Sequence, residues 1–356
     1  MRKGQQGKFH GIPLLALLLA LVLFAAGCGK SESGQLLKTA DDALKARDYQ
    51  AAHDGYDRLI ENGMSMQLAY RGRGIASMGL GDYEAARDDL LKSLEEGGVF
   101  VSDISYDINF YLASCEYKLG NTQEAIRIYD SILKLRPTDI DALQLRGSAR
   151  LGEGLNAAAR EDFEKVLRLA PADYDRIIEM SENLRQYGMV EEGKALLNRT
   201  LADQDRSLSN YDRGRLCFYL EDYQTAKSCL EQARMNSGDY RTSAMLGRTY
   251  EELGDYNYAI SVYETYLETD KSHAEIYNRL GLCHMKMQNY QDALRAFEQG
   301  KLTEDAQVLQ DLSYNEIVAH EFLGEWKKAS LLMETYLQNY PNDETAKREY
   351  IFLKTR

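Results

Sequence analysis

YRTSAMLGRTYEELGDYNYAISVYETYLETD, residues Tyr240–Asp270, reads as two amphipathic helices joined by a tight turn. In the first, Ser243, Gly247 and Tyr250 recur at i, i+4 and i+7, which places them on one face. Gly254-Asp255 then offers a C-terminal glycine followed by an N-cap carboxylate for the second helix. There Tyr256, Ala259, Tyr263 and Tyr266 form a second apolar stripe at three- and four-residue steps. The small Gly247 and Ala259 let the two backbones approach, and the tyrosines fill the space around them. Such a hairpin cannot bury its apolar faces alone, so it needs copies of itself on either side.

The rest of the chain supplies them. Taking the residue just after the turn as marker, Tyr49, Tyr83, Thr122, Asn156, Val190, Tyr223, Tyr256, Tyr290 and Trp326 follow one another, mostly at steps of 33 or 34 residues. Three residues beyond each marker stands a small residue: Ala52, Ala86, Ala125, Ala159, Gly193, Ala226, Ala259, Ala293 or Ala329. Four further on stands a large apolar one: Tyr56, Leu90, Tyr129, Phe163, Leu197, Leu230, Tyr263, Phe297 or Met333. Pro137, Pro171 and Pro341 share one place after the second helix, where they stop it. The repeat around Val190 departs most, with Gly193 at the small place and no aromatic marker. Extra residues around Glu95–Gly98 and Gly300–Thr303 predict longer connections.

This spacing, with its small, large, turn and stop positions, resembles the tetratricopeptide repeat (TPR). The resemblance implies an all-α fold: a right-handed superhelical solenoid of about nine helix-turn-helix repeats over residues 34–341. Residues 342–356 carry no further repeat. Asp343 is positioned to cap a last helix with Ala346, Tyr350 and Leu353 facing inward, the polar-backed closure that an open solenoid end needs.

Residues 1–27 read as a targeting segment. Arg2, Lys3 and Lys8 form a basic start, and Ile12–Phe24 is a nearly unbroken apolar run, short for a spanning helix. The run ends in Ala25-Ala26-Gly27-Cys28, which resembles the lipobox of bacterial lipoproteins. That resemblance implies acylation of Cys28, a short tether over 28–33, and a membrane-anchored protein on the extracytoplasmic or periplasmic face. An ordinary signal peptide, or a retained anchor helix, is the alternative. Two or more acyl chains would hold the protein stably, whereas one binds only marginally.

The net charge of −13 supplies no electrostatic footprint for nucleic acid. None of the five cysteines forms a CxxC pair, and no disulfide scaffold is implied; Cys217 and Cys229, in the two helices of one hairpin, could pair in an oxidising compartment. No two of His10, His53, His273, His284 and His320 have the i, i+4 spacing of a helical zinc site. His284 and His320 fall on inward places and read as partly buried packing residues. Gly152-Glu153-Gly154 loosely fits a dinucleotide fingerprint but lies between two helices, where that fingerprint needs a strand. No catalytic residue, metal or cofactor is therefore expected.

What remains is the wall formed by the first helices, which lines the groove in TPR proteins. Counted from the small residue of each first helix, Tyr211, Arg215 and Phe218 face it in the sixth repeat and Arg248 in the seventh, with Arg241 a turn earlier. Met285 follows in the eighth, with Arg279 beside that face. These residues form the candidate binding site. Four arginines in an acidic chain suit an acidic, partly apolar peptide; the bland alternative is that they offset neighbouring carboxylates. The function expected is a non-catalytic adaptor or scaffold that binds a protein or peptide. Alternatives are an assembly factor of an envelope secretion, pilus or outer-membrane complex, or a glycan-binding or enzymatic subunit, which a facing acid pair or hydrolytic activity would favour.

Overall fold

The computed structural model describes residues 33–98, 102–204, 207–303, 305 and 308–356. The basic start, the apolar run, Cys28 and most of its tether lie outside the described residues. Among the described residues there are helices and no strands, and no helix is long and apolar enough to cross a membrane. The chain divides into two compact units, Met1–Ala170 and Pro171–Arg356.

In the first unit, α1 (33–45), α2 (Tyr49–Glu61), α3 (Met66–Leu80), α4 (Tyr83–Glu96), α5 (Asp103–Lys118), α6 (Thr122–Leu135), α7 (Ile140–Gly152) and α8 (Asn156–Leu169) pair as four hairpins. Each hairpin packs on the next. The second unit has five more hairpins: α9 (Tyr174–Gln186) with α10 (Val190–Asp203), α11 (Asn210–Tyr219) with α12 (Tyr223–Asn236), α13 (Tyr240–Glu252) with α14 (Tyr256–Leu267), α15 (Ala274–Lys286) with α16 (Tyr290–Lys301), and α17 (Leu309–Phe322) with α18 (Trp326–Asn339). A lone helix, α19 (Glu344–Leu353), packs on α18. Every marker residue opens a second helix, and every small and large residue of the repeat is buried.

The central hairpin shows why. At the end of α13 the Asp255 N–H donates to Tyr250 O and the Gly254 N–H to Glu251 O, both at 2.9 Å. This closure requires a left-handed residue, and Gly254 supplies it at φ +73°. Asp255 then opens α14. At Gly247 a Cβ would stand 2.2 Å from the Tyr263 ring, so hydrogen alone fits between α13 and that tyrosine. Ala259 is 0% exposed on the facing helix. Ala259→Leu should therefore cost about 1–3 kcal/mol by overpacking. Because stability in a repeat array passes between neighbours, hydrogen exchange should rise first in α11–α12 and α15–α16. Uniform loss of protection along the chain would contradict this.

α19 is capped as its sequence suggests. Asp343 accepts from the Ala346 N–H at 2.9 Å and from the Tyr336 hydroxyl at 2.7 Å. Ala346 and Leu353 are buried against Ile317, Ala329, Met333 and Tyr336. Its outer face is less polar than expected, because Ile351 and Phe352 are exposed there.

Ion pairs that recur at one place in the repeat reinforce the first unit. Arg146 of α7 forks onto Asp162 of α8 through Nε at 2.9 Å and Nη2 at 2.6 Å, and reaches Asp130 of α6 at 2.6 Å. Arg73 of α3 repeats the device with Asp89 of α4 and Asp57 of α2. Each arginine thus fastens its own hairpin to the one before.

Candidate functional site

On α11, Tyr211, Arg215 and Phe218 fall at i, i+4 and i+7, and on α13 Arg241, Ala244 and Arg248 fall at i, i+3 and i+7. Helical geometry gives each helix one stripe. The stripes meet: the Arg215 guanidinium lies 5.3 Å from the Tyr211 ring centroid, and Arg248 crosses from α13 to lie 5.0 Å from that of Phe218. Tyr211 and Arg241 line one cleft of about 460 Å³ with Ser209, Asn210, Asn236, Ser237 and one carboxylate, Asp239. The cleft is rich in hydrogen-bonding groups, and burial raises the Tyr211 hydroxyl pKa above its ordinary value.

The four arginines are not equivalent. Arg215 is ion-paired to Asp175 of α9 and stands 3.8 Å from Asp212, with its side chain 15% exposed. Arg279 donates to Glu275 at 3.1 Å and to Glu251 of α13 at 3.4 Å. Burial raises the Glu251 carboxyl above its ordinary pKa, against the Tyr263 hydroxyl and the cations Arg279 and Arg248. Arg215 and Arg279 therefore do the neutralising work of the bland alternative. Among the described residues, no carboxylate lies within ion-pair distance of Arg241, which is exposed, or of Arg248, which is half-buried.

Two of the apolar positions also differ from expectation. Phe218 is buried against Tyr219 and Tyr223 of its own hairpin, within a core cluster that also holds Met245 and Leu246 of α13. It supports Arg248 from beneath and does not form an open wall. Met285 packs against the cluster of Ala293, Leu294 and Phe297, away from the arginines. The structure thus gathers Tyr211, Arg215, Phe218, Arg241 and Arg248, and leaves Arg279 and Met285 in the packing of α15. The two histidines expected to be partly buried are buried outright, His320 completely. Cys115, Cys217, Cys229 and Cys283 are free thiols.

Sequence reasoning did not find Tyr240, whose hydroxyl donates to Glu275 at 2.5 Å while its ring stacks on His273 at 4.0 Å. Together with Arg279–Glu251 this bond ties α13 to α15, while the contact of Arg248 with Phe218 joins α13 to α11. Asp212 lies three residues before Arg215, a signal visible in sequence, whereas Asp175 is forty residues away and needs the packing of α9 on α11.

The chain is similar to several known proteins. DnaJ homolog subfamily C member 7 of Homo sapiens is 25% identical over 279 residues, covering 70% of this chain and 55% of that protein. Serine/threonine-protein phosphatase 5 of Rattus norvegicus is 31% identical over 116 residues, 32% of this chain and 22% of the phosphatase. The chain spans only about half the length of the DnaJ homologs it matches. Among solved structures, a tetratricopeptide repeat protein from Parabacteroides merdae covers 72% of this chain at 17% identity, with 96% of its own chain matched and a TM-score of 0.42. YrrB, described as a TPR protein with an unusual peptide-binding site, covers 56% at 18% identity, with 97% of its own chain matched and a TM-score of 0.41. Family models described as tetratricopeptide repeat match residues 37–98, 107–139, 140–173 and 244–307. With more than half of its length so matched, the chain belongs to the tetratricopeptide repeat family.

Proposed function

We propose that the protein is a non-catalytic adaptor that holds an acidic, partly apolar segment of a partner protein against the first-helix face of α11 and α13. The observation that carries this reading is the pair Arg241 and Arg248, two turns apart on one face of α13, neither within ion-pair distance of a carboxylate among the described residues, although Asp239 shares the cleft with Arg241 and the field of Arg248 reaches Glu251 and Glu275. A guanidinium presents a planar fork that matches a carboxylate at two points, and the cleft beside Tyr211 supplies polar groups for a peptide backbone. Two cations held some 10 Å apart along a helix by its 1.5 Å rise per residue suit acidic side chains spaced along an extended segment. Relatives support a binding role: TPR folds generally serve as protein-interaction scaffolds, though a fold does not fix its ligand. Fluorescence anisotropy with a peptide of alternating Glu and Phe tests the reading. It should bind the full chain, weaken as salt is raised, and outcompete the Lys-for-Glu version. Equal binding of the two peptides would remove the electrostatic reading.

The anchor belongs to the same proposal. With acyl chains on Cys28, the adaptor would be tethered to a membrane on its extracytoplasmic or periplasmic face, for envelope work such as assembly of a secretion, pilus or outer-membrane complex. The basic start, apolar run and Gly27-Cys28 ending support it. Cys28→Ala should abolish metabolic labelling with palmitate and move the protein out of the membrane fraction, or leave its precursor unprocessed. Equal labelling of wild type and variant would exclude lipidation at Cys28.

A further inference from the structure

We propose that Glu298, Glu316 and His320 form a binding site for a divalent transition cation, with Zn²⁺ as the working case, between α16 and α17. One ligand atom from each lies within 4.8 Å of the others. Glu316 and His320 are at i, i+4 on α17, one above the other on the helix face, and Glu298 comes across from α16.

The histidine makes this more than an acidic cluster. His320 is 0% exposed, and its Nε2 has no hydrogen-bond partner among the described residues. Its Nδ1 stands 2.7 Å from a Glu325 carboxylate oxygen. In the tautomer in which Nδ1–H donates to that carboxylate, Nε2 keeps its lone pair for a ligand, in a ring that the Glu298 and Glu316 carboxylates approach. Buried acceptors that face acceptors repel unless something positive stands between them. A carboxylate behind Nδ1 is also the support that metal-bound imidazoles usually have, since it fixes the tautomer and raises the basicity of the ligating nitrogen.

Lys301 supplies part of the positive charge, with its Nζ 2.5 Å from Glu316 Oε2. One ammonium offsets one of the two carboxylates and leaves the other Glu316 oxygen for a cation. Glu298 is exposed, so the cluster meets solvent on its α16 side, and Glu316 also borders a cleft of about 210 Å³ with Lys301 and Ser313. One imidazole with two carboxylates suits Zn²⁺, Co²⁺ or Mn²⁺; the nitrogen disfavours Ca²⁺ and Mg²⁺, which take oxygen ligands. Three protein ligands leave a fourth position for water. A bound ion would tie the eighth hairpin to the ninth.

Titration of the full chain with Zn²⁺ by calorimetry, and with Co²⁺ by visible absorption, tests the site. Wild type should take up one equivalent at saturation, show the d–d bands of nitrogen- and oxygen-bound Co²⁺, and melt higher with Zn²⁺ present. Glu298→Gln, at an exposed position that leaves the fold intact, should abolish that equivalent and the Zn²⁺-dependent rise in melting temperature, and Glu316→Gln should do the same. Glu325→Gln, which removes only the support for Nδ1, should weaken binding about 10- to 100-fold. The proposal is overturned if there is no saturable binding, if Glu298→Gln binds as wild type does, or if Co²⁺ shows a thiolate charge-transfer band that points to a cysteine.

Discussion

Asp162→Ala should lower the stability of the first unit by about 3–5 kcal/mol, the loss expected when one member of a buried ion pair is removed. The Asp162 side chain is 1% exposed and accepts from two arginines, Arg146 through a two-point fork and Arg150 at 2.7 Å. Without it, two guanidiniums whose side chains are only 11% and 17% exposed keep one carboxylate, Asp130 of α6, and the Ala158 carbonyl at 3.3 Å from Arg150. The cost is the desolvation of charge left without its partner, not merely the loss of the bonds themselves. Replacing Arg146 by Met together with Asp162 by Leu should be far milder, because removing both charges removes the penalty. Urea unfolding measures the difference, with hydrogen exchange in α6–α8 locating it. A loss below about 1 kcal/mol for Asp162→Ala would mean that water reaches the triad and screens it.

The second large effect concerns binding. Arg241→Ala with Arg248→Ala should weaken the acidic peptide at least about 30-fold, since charge-assisted hydrogen bonds contribute about 1.5–3 kcal/mol each when truncated. Melting should fall only slightly, because among the described residues neither arginine stands within ion-pair distance of a carboxylate and Arg241 is exposed, so that what is lost is the contact of Arg248 with the Phe218 ring and its field on Glu251. Arg215→Ala should behave in the opposite way. It would leave Asp175 and Asp212 facing each other across α9 and α11, so it should lower the melting temperature. This contrast separates the arginines that bind from those that hold the hairpins together.

The fold was legible because its constraints recur. A small residue such as Ala259, followed four positions later by a large one such as Tyr263, states where two helices must touch, and the copies fix the pattern beyond any one hairpin's ambiguity. The site was legible only in part. Helical spacing put Arg241 and Arg248 on one face, but whether an arginine is free depends on acids from other helices. Asp175 for Arg215 and Glu251 for Arg279 come from neighbouring first helices, 40 and 28 residues away. Phe218 could not be told from a groove residue because i, i+4, i+7 spacing defines a stripe and not its depth. The Arg146 triad did leave a trace in the sequence. Asp130, Arg146 and Asp162 are spaced by 16, as are Asp57, Arg73 and Asp89. The metal cluster left less, since a search for paired histidines passes over a single histidine whose other ligands are glutamates.

The claim that the partner lies on the first-helix face of α11 and α13 is tested most directly by photo-crosslinking. A photoreactive residue at position 244, between Arg241 and Arg248, should capture the bound acidic peptide, and one at position 224, on the exposed face of α12, should not. Capture at 244 that is lost in high salt is the result this account predicts. Capture at 224 with none at 244 would contradict it.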